Sequence, residues 1–223
     1  MLSLPTTTLH QQRTAAVNHL DLVAPGKVVR GKRLFDVVVA GSFTLLVLSW
    51  LIPLLSLVIW LTSPGPGLFV QYRTGRNGRP FLCFKFRTMT YSRSNEFVQA
   101  TKNDIRVTPI GRFLRKTNLY ELPQILNVLM GDMSLVGPRP HPIQLDAAYW
   151  HTMPGYRSRY DVKPGLTGLA QARGCRGETA TRQQMAHRVR LDHFYIRNQS
   201  LALDLKICWW TLMKMILGDE KAC

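Results

Sequence analysis

The longest apolar stretch of the chain covers residues 37–61, which are 25 consecutive positions without a charged side chain. A helix of about 20 such residues is long enough to cross the hydrocarbon core of a bilayer. The long basic preamble before the stretch and the Ser-Pro-Gly-Pro-Gly turn after it differ from the ends of a cleaved signal peptide. The pattern therefore predicts a helix embedded in a membrane.

Cationic residues flank this helix on both sides. Because cationic loops stay on the cytoplasmic side of a membrane, a single straight span would place one set of them on the wrong side. Pro53 lies inside the stretch, removes a backbone donor and can kink the helix. The pattern favours a re-entrant helical hairpin that bends at Pro53, and a straight span with a tolerated proline is the alternative. The flanking cations are Lys27, Arg30, Lys32 and Arg33 before the helix, and Arg73, Arg76, Arg79, Lys85 and Arg87 after it.

Shorter patterns follow the apolar helix. Residues 68–72 and 80–86 are typical of two strands that form a hairpin around a turn rich in glycine. Residues 134–141 and 163–174 are rich in glycine and proline and contain cations, so they are interpreted as loops. Such loops can bring backbone amides close to phosphate oxygens, and ordinary turns are the alternative interpretation.

Helical spacing of apolar residues returns between residues 110 and 129 and is interrupted around Thr117 and Pro123. The interruption predicts two short helices joined near Asn118. Pro123 suits the first turn of the second helix, which places Glu121 beside the electropositive start of that helix. Glu121 is thus a single carboxylate shortly after several cations, and this arrangement makes it a candidate for chemistry.

The closing residues 201–217 mix tryptophans and lysines with apolar side chains. Trp209 and Trp210 lie near Lys206 and Lys214, a composition typical of an amphipathic helix at a membrane interface. A terminal helix that packs into the core is the alternative. Residues 1–30 are polar and mixed, and they are interpreted as a flexible lead-in.

The charge of the chain narrows the class of partner. Lysine and arginine number 29 against 13 acidic residues, for a net charge of +16, so the partner is expected to be nucleic acid, an anionic membrane surface or a phosphorylated substrate. No recognisable nucleic-acid-binding module or stacking pattern is present, and we predict no nucleic-acid partner. The four cysteines are widely spaced and lack metal-ligand spacing, so free thiols in a reducing compartment are the simpler interpretation.

Five ordered blocks carry a resemblance to a known family: KRLFD, SPGPGLFVQYRTGRNGRPFLCFKFRTM, RKTNLYELPQILNVLMGDMSLVGPRP, VKPGLTGLAQARG and LDHFYIRNQSLALDLKI. In this order they resemble the bacterial sugar transferases, which are monotopic polyprenyl-phosphate phosphoglycosyl transferases. The similarity extends from about residue 32 to about residue 217. Longer relatives carry an extra bundle of transmembrane helices, so the chain is expected to correspond to the minimal catalytic unit.

The resemblance implies an enzyme of the bacterial inner membrane whose catalytic domain faces the cytoplasm. It would transfer a sugar 1-phosphate from a UDP-sugar to undecaprenyl phosphate, release UMP with the help of Mg²⁺, and so initiate exopolysaccharide, capsule or O-antigen synthesis. The implied fold is mainly α with a small β-hairpin. Its parts are a flexible lead-in (1–30), a re-entrant membrane helix hairpin (31–63) and a cytosolic phosphoglycosyl transferase domain with interfacial amphipathic helices (64–223). The sugar is not indicated, and a homo-oligomer is compatible with the sequence.

The chain departs from the family at its expected nucleophile. The family reads Asp-Glu-Leu-Pro-Gln where this chain has Tyr120 and Glu121 followed by Leu-Pro-Gln. Tyr120 could abolish a covalent step and leave an inactive accessory homologue. Alternatively, Glu121 could take over as nucleophile, or as base and metal ligand for a direct displacement. In a third alternative, the Tyr120 phenol attacks phosphorus after its pKa of about 10 is lowered.

Other residues are assigned through the same resemblance. Arg139 matches a motif implicated in nucleotide-sugar binding, and further phosphate contacts are expected from Arg112, Arg115, Lys85 and Arg87. Arginine can hold phosphate oxygens bidentately, whereas lysine acts as a point charge. For each cation the alternative is a surface position that faces anionic lipid. Structural salt bridges, rather than metal binding, are expected of Asp132, Asp161 and Asp192.

Overall fold

The computed structural model describes residues 29–91, 101, 104–175 and 181–217, with side chains described as far as residue 214. Most of the predicted lead-in over residues 1–30 therefore lies outside the described residues. The described part of the chain is mainly helical and contains two small sheets. This confirms the mainly α fold class and the predicted β-hairpin.

The apolar stretch forms one continuous helical segment, Lys32–Thr62. It consists of α1 (Lys32–Phe43), a π-helical turn (Thr44–Leu48) and α2 (Ser49–Thr62), with Pro53 inside α2. Proline cannot donate a backbone hydrogen bond and collides with the preceding turn, and the wider π turn lies just before it. Within the described residues this is the one helix long and apolar enough to cross a membrane.

Both ends of this long helix contact the same globular part of the protein. At its start, Lys32 Nζ donates to Asp204 Oδ2 at 2.6 Å, and Arg33 donates to the carbonyls of Val128 and Leu129. At its end, Ser63 accepts a hydrogen bond from Arg87. The helix is continuous through Pro53, so a hairpin bend at that residue stays a prediction.

Most of the circumference of the long helix is apolar and exposed. Its buried positions are Asp36, Ala40, Leu48 and Ile59, which form a narrow stripe at helical spacing. Ala40 and Leu48 belong to the main core, and Ile59 packs in a smaller cluster with Phe86. The exposed apolar side chains include Leu34, Val38, Leu45, Leu46, Trp50, Leu54, Leu57, Trp60 and Leu61. A contiguous apolar surface of this kind is typical of contact with lipid.

Two short sheets frame the region between the helices. Strands β1 (Leu68–Thr74) and β2 (Pro80–Phe86) form the predicted antiparallel hairpin, in which Arg73 pairs with Phe81. Strands β3 (Ser134–Val136) and β4 (Gly165–Thr167) pair in parallel. The prediction of plain loops at these last two positions was therefore wrong. The backbones of Gly137 and Gly165 approach so closely that a Cβ atom on either would collide with the other.

The remaining helices confirm the pattern in outline. The two predicted short helices are α3 (Pro109–Lys116) and α4 (Gln124–Met130), and they are followed by α5 (Ile143–Tyr149), α6 (Leu169–Ala172), α7 (Arg182–Arg197) and α8 (Leu201–Leu217). Helix α8 combines both interpretations of the closing segment. Its Ile207 side chain lies in the core, whereas Trp209 is exposed.

Candidate active site at the junction of two short helices

The junction between α3 and α4 is built around a residue with left-handed backbone geometry. Asn118 has φ 58°, a conformation that asparagine tolerates better than most residues. A single 3₁₀ turn, Leu119–Glu121, follows it, and Pro123 immediately precedes α4. The tight turn places Tyr120 and Glu121 next to strand β2.

Glu121 is held by two cations from distant parts of the chain. Arg139 donates from Nη2 to Glu121 Oε1 at 2.6 Å and from its other terminal nitrogen to Oε2 at 3.1 Å. Lys85 Nζ donates to Oε1 at 3.0 Å. The Glu121, Arg139 and Lys85 side chains are 13%, 20% and 10% exposed. The carboxylate is thus bidentately paired and largely removed from water, an arrangement with strong and directional hydrogen bonds.

The surroundings of Glu121 and Lys85 keep both side chains ionised at neutral pH. Burial alone would raise the pKa of Glu121, but the charges of Arg139 and Lys85 outweigh it and hold that pKa well below its usual range. Burial, together with the nearby charge of Arg73, lowers the pKa of Lys85 to about 8. The attraction of Glu121 does not cancel these two effects. At neutral pH both groups are therefore charged, and Lys85 loses its proton within reach of mildly alkaline conditions.

Tyr120 lies beside the pair with its ring against cations. Lys85 Nζ is 5.2 Å from the ring centroid, and the guanidinium carbon of Arg115 is 5.9 Å from it. Burial and the neighbouring Glu121 charge raise the pKa of the phenol to about 12. The neighbouring cations oppose this rise without cancelling it. The phenol is therefore protonated at neutral pH, which disfavours the interpretation in which Tyr120 attacks phosphorus.

Arg73 joins the same group of cations, and our sequence interpretation did not select it. Its Nη1 atom donates to the carbonyl of Pro140, directly after Arg139, and its side chain is buried. A signal for it exists in the strand pattern, because the register of the hairpin puts residues 73 and 85 on one face. A cation on the buried face of a strand indicates a site rather than solvation.

A buried network fixes the segment that carries Arg139. Arg159, which is fully buried, donates from Nη2 to the carbonyl of Arg139 at 2.9 Å and from Nε to Asp192 Oδ2 at 2.7 Å. His141 contacts Tyr156 Oη at 2.6 Å, and this hydroxyl donates to Asp146. The expected salt-bridge role of Asp192 is thus confirmed. The network holds the Arg139 guanidinium in place, since both ends of its segment are tied.

The structure therefore brings together Lys85, Tyr120, Glu121 and Arg139, with Arg115 at the edge. Arg87 lies apart from this group, because its guanidinium donates to Ser63 and to carbonyls of the turn after the long helix. Arg112 is exposed on α3. Substrate contact by Arg87 and Arg112 stays a prediction.

The residues around Glu121 do not fit a Mg²⁺ site. Magnesium is usually held by one or two carboxylates together with substrate phosphates. Both oxygens of Glu121 are taken by cations. Across residues 29–91, 101, 104–175 and 181–217 no group of three or more His, Cys, Asp or Glu side chains could hold a metal ion. The expected role of Glu121 as a metal ligand stays a prediction, and no chemical step is derived through a metal.

Comparison with known sequences places this site in context. The sequence model of the bacterial sugar transferases matches residues 27–218. The chain is 44% identical over 96% of its length to the UDP-glucose:undecaprenyl-phosphate glucose-1-phosphate transferase of Klebsiella pneumoniae, of which it covers 48%. Proteins of the same name from Escherichia coli (strain K12) and Caulobacter vibrioides are 47% and 48% identical over 82% and 85% of the chain, which covers 39% and 71% of their lengths. The chain thus spans about half of the Klebsiella pneumoniae relative and less than half of the Escherichia coli relative.

Proposed function

The chain belongs to the bacterial sugar transferase family, and we propose that it transfers a sugar 1-phosphate from a UDP-sugar to undecaprenyl phosphate in polysaccharide synthesis. The names of the relatives support this reaction and favour UDP-glucose as the donor. The observation that carries the proposal is the buried cluster of Arg139, Lys85 and Glu121 beside Tyr120. Such a cluster suits a donor with two phosphates and an acceptor with one.

We propose a direct displacement at this site. A phosphate oxygen of undecaprenyl phosphate attacks the β-phosphorus of the donor, while the bond from that phosphorus to the bridging oxygen breaks. UMP leaves with the bridging oxygen, and the sugar 1-phosphate becomes the end of a lipid-linked diphosphate. The protonated Tyr120 phenol supplies no nucleophile, and Arg139 and Lys85 stabilise the charge that develops on the transferring group.

The test is UMP release by the full chain in detergent with undecaprenyl phosphate and a panel of UDP-sugars. Wild type should release UMP with UDP-glucose, and Arg139→Met should lose at least about 100-fold in rate, the order found when one oxyanion-stabilising donor is removed. Lys116→Met removes an exposed cation from the neighbouring helix and serves as the matched control. Unchanged turnover in Arg139→Met would contradict the assigned site.

The second candidate function is an accessory homologue that binds the nucleotide-sugar without turning it over. Tyr120 favours it, since a phenol with a raised pKa stands where the family has its aspartate. The same assay separates the two functions. The accessory function predicts no UMP from wild type with any donor, together with UMP release by Tyr120→Asp.

We also propose that the chain sits in the bacterial inner membrane with its globular part facing the cytoplasm. The long helix would then enter the bilayer and return to the same face. The contacts of Lys32 and Ser63 at opposite ends of the helix with one globular part support this topology. A straight helix of 31 residues would be about 46 Å long and would carry its far end to the opposite surface of the bilayer.

A further inference from the structure

Among the described residues, the cluster around Glu121 contains more positive charge than the Glu121 carboxylate balances. Three cations, Arg73, Lys85 and Arg139, lie within electrostatic range of one another, and Glu121 is the carboxylate among them. Arg73 and Lys85 are 9% and 8% exposed. Buried charges are normally paired, because their removal from water is costly. Three cations and one carboxylate leave this cluster short of about two negative charges.

A second observation also indicates a missing anion. In the part of the chain that the structure describes, the Nε atom of Arg73 is buried and has no hydrogen-bond acceptor. Its terminal nitrogens are used on Pro140 and Gln71. A buried guanidinium N–H without an acceptor is rare in a folded protein. This donor is therefore available to an anion that binds beside Arg73.

Glu121 already occupies the donors that such an anion would need. Both terminal nitrogens of Arg139 are aimed at the two oxygens of Glu121, and Lys85 donates to the same carboxylate. Guanidinium binds a carboxylate and a phosphate through the same bidentate geometry. A phosphate can therefore bind both terminal nitrogens of Arg139 only after Glu121 has released them.

We infer that Arg73, Lys85 and Arg139 form a diphosphate-binding site in which Glu121 is the resident anion and competes with the ligand. The ligand class is a nucleoside diphosphate, so the inference rests on the proposed function and assigns Arg73 to its donor site. Binding exchanges one anion for another on Arg139. Glu121 is released next to the diphosphate, and the site is closed by its own carboxylate when no donor is bound.

The competition predicts an effect of unusual sign. Glu121→Gln keeps the size of the side chain but removes the charge that holds Arg139, so this variant should bind UDP about tenfold more tightly than wild type. A residue that contributed favourably to binding, for example through a metal, would show the opposite effect. Arg73→Gln should bind UDP about tenfold more weakly, and Arg73→Lys should fall between Arg73→Gln and wild type because the charge is kept and the Nε donor is lost.

The experiment is calorimetric titration of UDP into the detergent-solubilised full chain, with EDTA present and at fixed ionic strength. Asp132→Asn controls for the loss of a negative charge elsewhere, and Arg79→Gln controls for the loss of an exposed cation on the same hairpin. Neither control should change the affinity by more than about twofold. Thermal unfolding of each variant shows that it is folded.

Weaker UDP binding by Glu121→Gln would overturn the inference, as would unchanged binding by folded Arg73→Gln and Arg73→Lys, or no UDP binding by wild type. No acceptor is present, so the measurement does not depend on turnover. If UDP binds with the predicted order of affinities and the chain releases no UMP in the transfer assay, the proposed function fails while the inference stands.

Discussion

The pair between Arg139 and Glu121 makes a prediction about stability that can be worked from the geometry. Arg139→Met keeps most of the volume of the side chain but leaves the Glu121 carboxylate with Lys85 as its remaining described partner. Removing one partner of a buried ion pair typically costs about 3–5 kcal/mol, because an uncompensated charge remains. The side chains keep 13% and 20% exposure and Lys85 is retained, so we expect a smaller loss of about 2–3 kcal/mol.

The assay is thermal unfolding of the detergent-solubilised chain, followed by far-UV circular dichroism at one scan rate. A loss of 1 kcal/mol lowers Tm by about 2–4 °C in a domain of this size, so Arg139→Met should unfold about 4–12 °C below wild type. In the double variant Arg139→Met/Glu121→Gln the Lys85–Glu121 pair is lost as well, and Lys85 and Arg73 no longer have the Glu121 charge beside them, so Tm should fall further below that of Arg139→Met. The control Lys116→Met should change Tm by no more than about 2 °C.

Two results would refute this reasoning. A decrease of less than about 2 °C in Arg139→Met would show that the pair contributes no more than an exposed salt bridge. A double variant at least as stable as Arg139→Met would show that the Glu121 carboxylate does not offset the charges of Lys85 and Arg73.

Further predictions concern pH and topology. Burial lowers the pKa of Lys85 to about 8, so the affinity for UDP should fall as the pH rises from 7 to 9.5. Lys85→Arg should remove most of this pH dependence, because arginine stays protonated. An affinity of wild type that does not change with pH would contradict the assignment. In a background without native cysteines, Arg30→Cys and Arg79→Cys should both react with an impermeant thiol reagent from the cytoplasmic side of oriented membrane vesicles; labelling from opposite sides would rule out the re-entrant helix.

The elements that the sequence predicts well are those with a strong local signal. The apolar run of residues 37–61 indicates a membrane helix by length alone. The interruption around Thr117 and Pro123 indicates the junction that carries Tyr120 and Glu121, because proline and the loss of apolar spacing act within a few residues. Arg139 was found through the family motif rather than through any local pattern, since it lies 18 residues from its partner.

The features that sequence reasoning missed depend on contacts between distant segments. Strands β3 and β4 have three residues each, too few to show a period of two, and their pairing joins positions about 30 residues apart. Arg73 and Arg87 look alike as cations next to strand residues. They differ because one reaches the segment after Arg139 whereas the other binds the turn carbonyls, and only the folded backbone decides between these partners.

The central claim is that this chain transfers a sugar 1-phosphate without a covalent intermediate on Tyr120. The most direct measurement is rapid-quench detection of UMP with UDP-glucose, with and without undecaprenyl phosphate. Wild type should form UMP only when the acceptor is present, whereas Tyr120→Asp should form about one UMP per chain even without it, the signature of a covalent step. The claim is contradicted if wild type forms stoichiometric UMP without acceptor, or forms none when the acceptor is present.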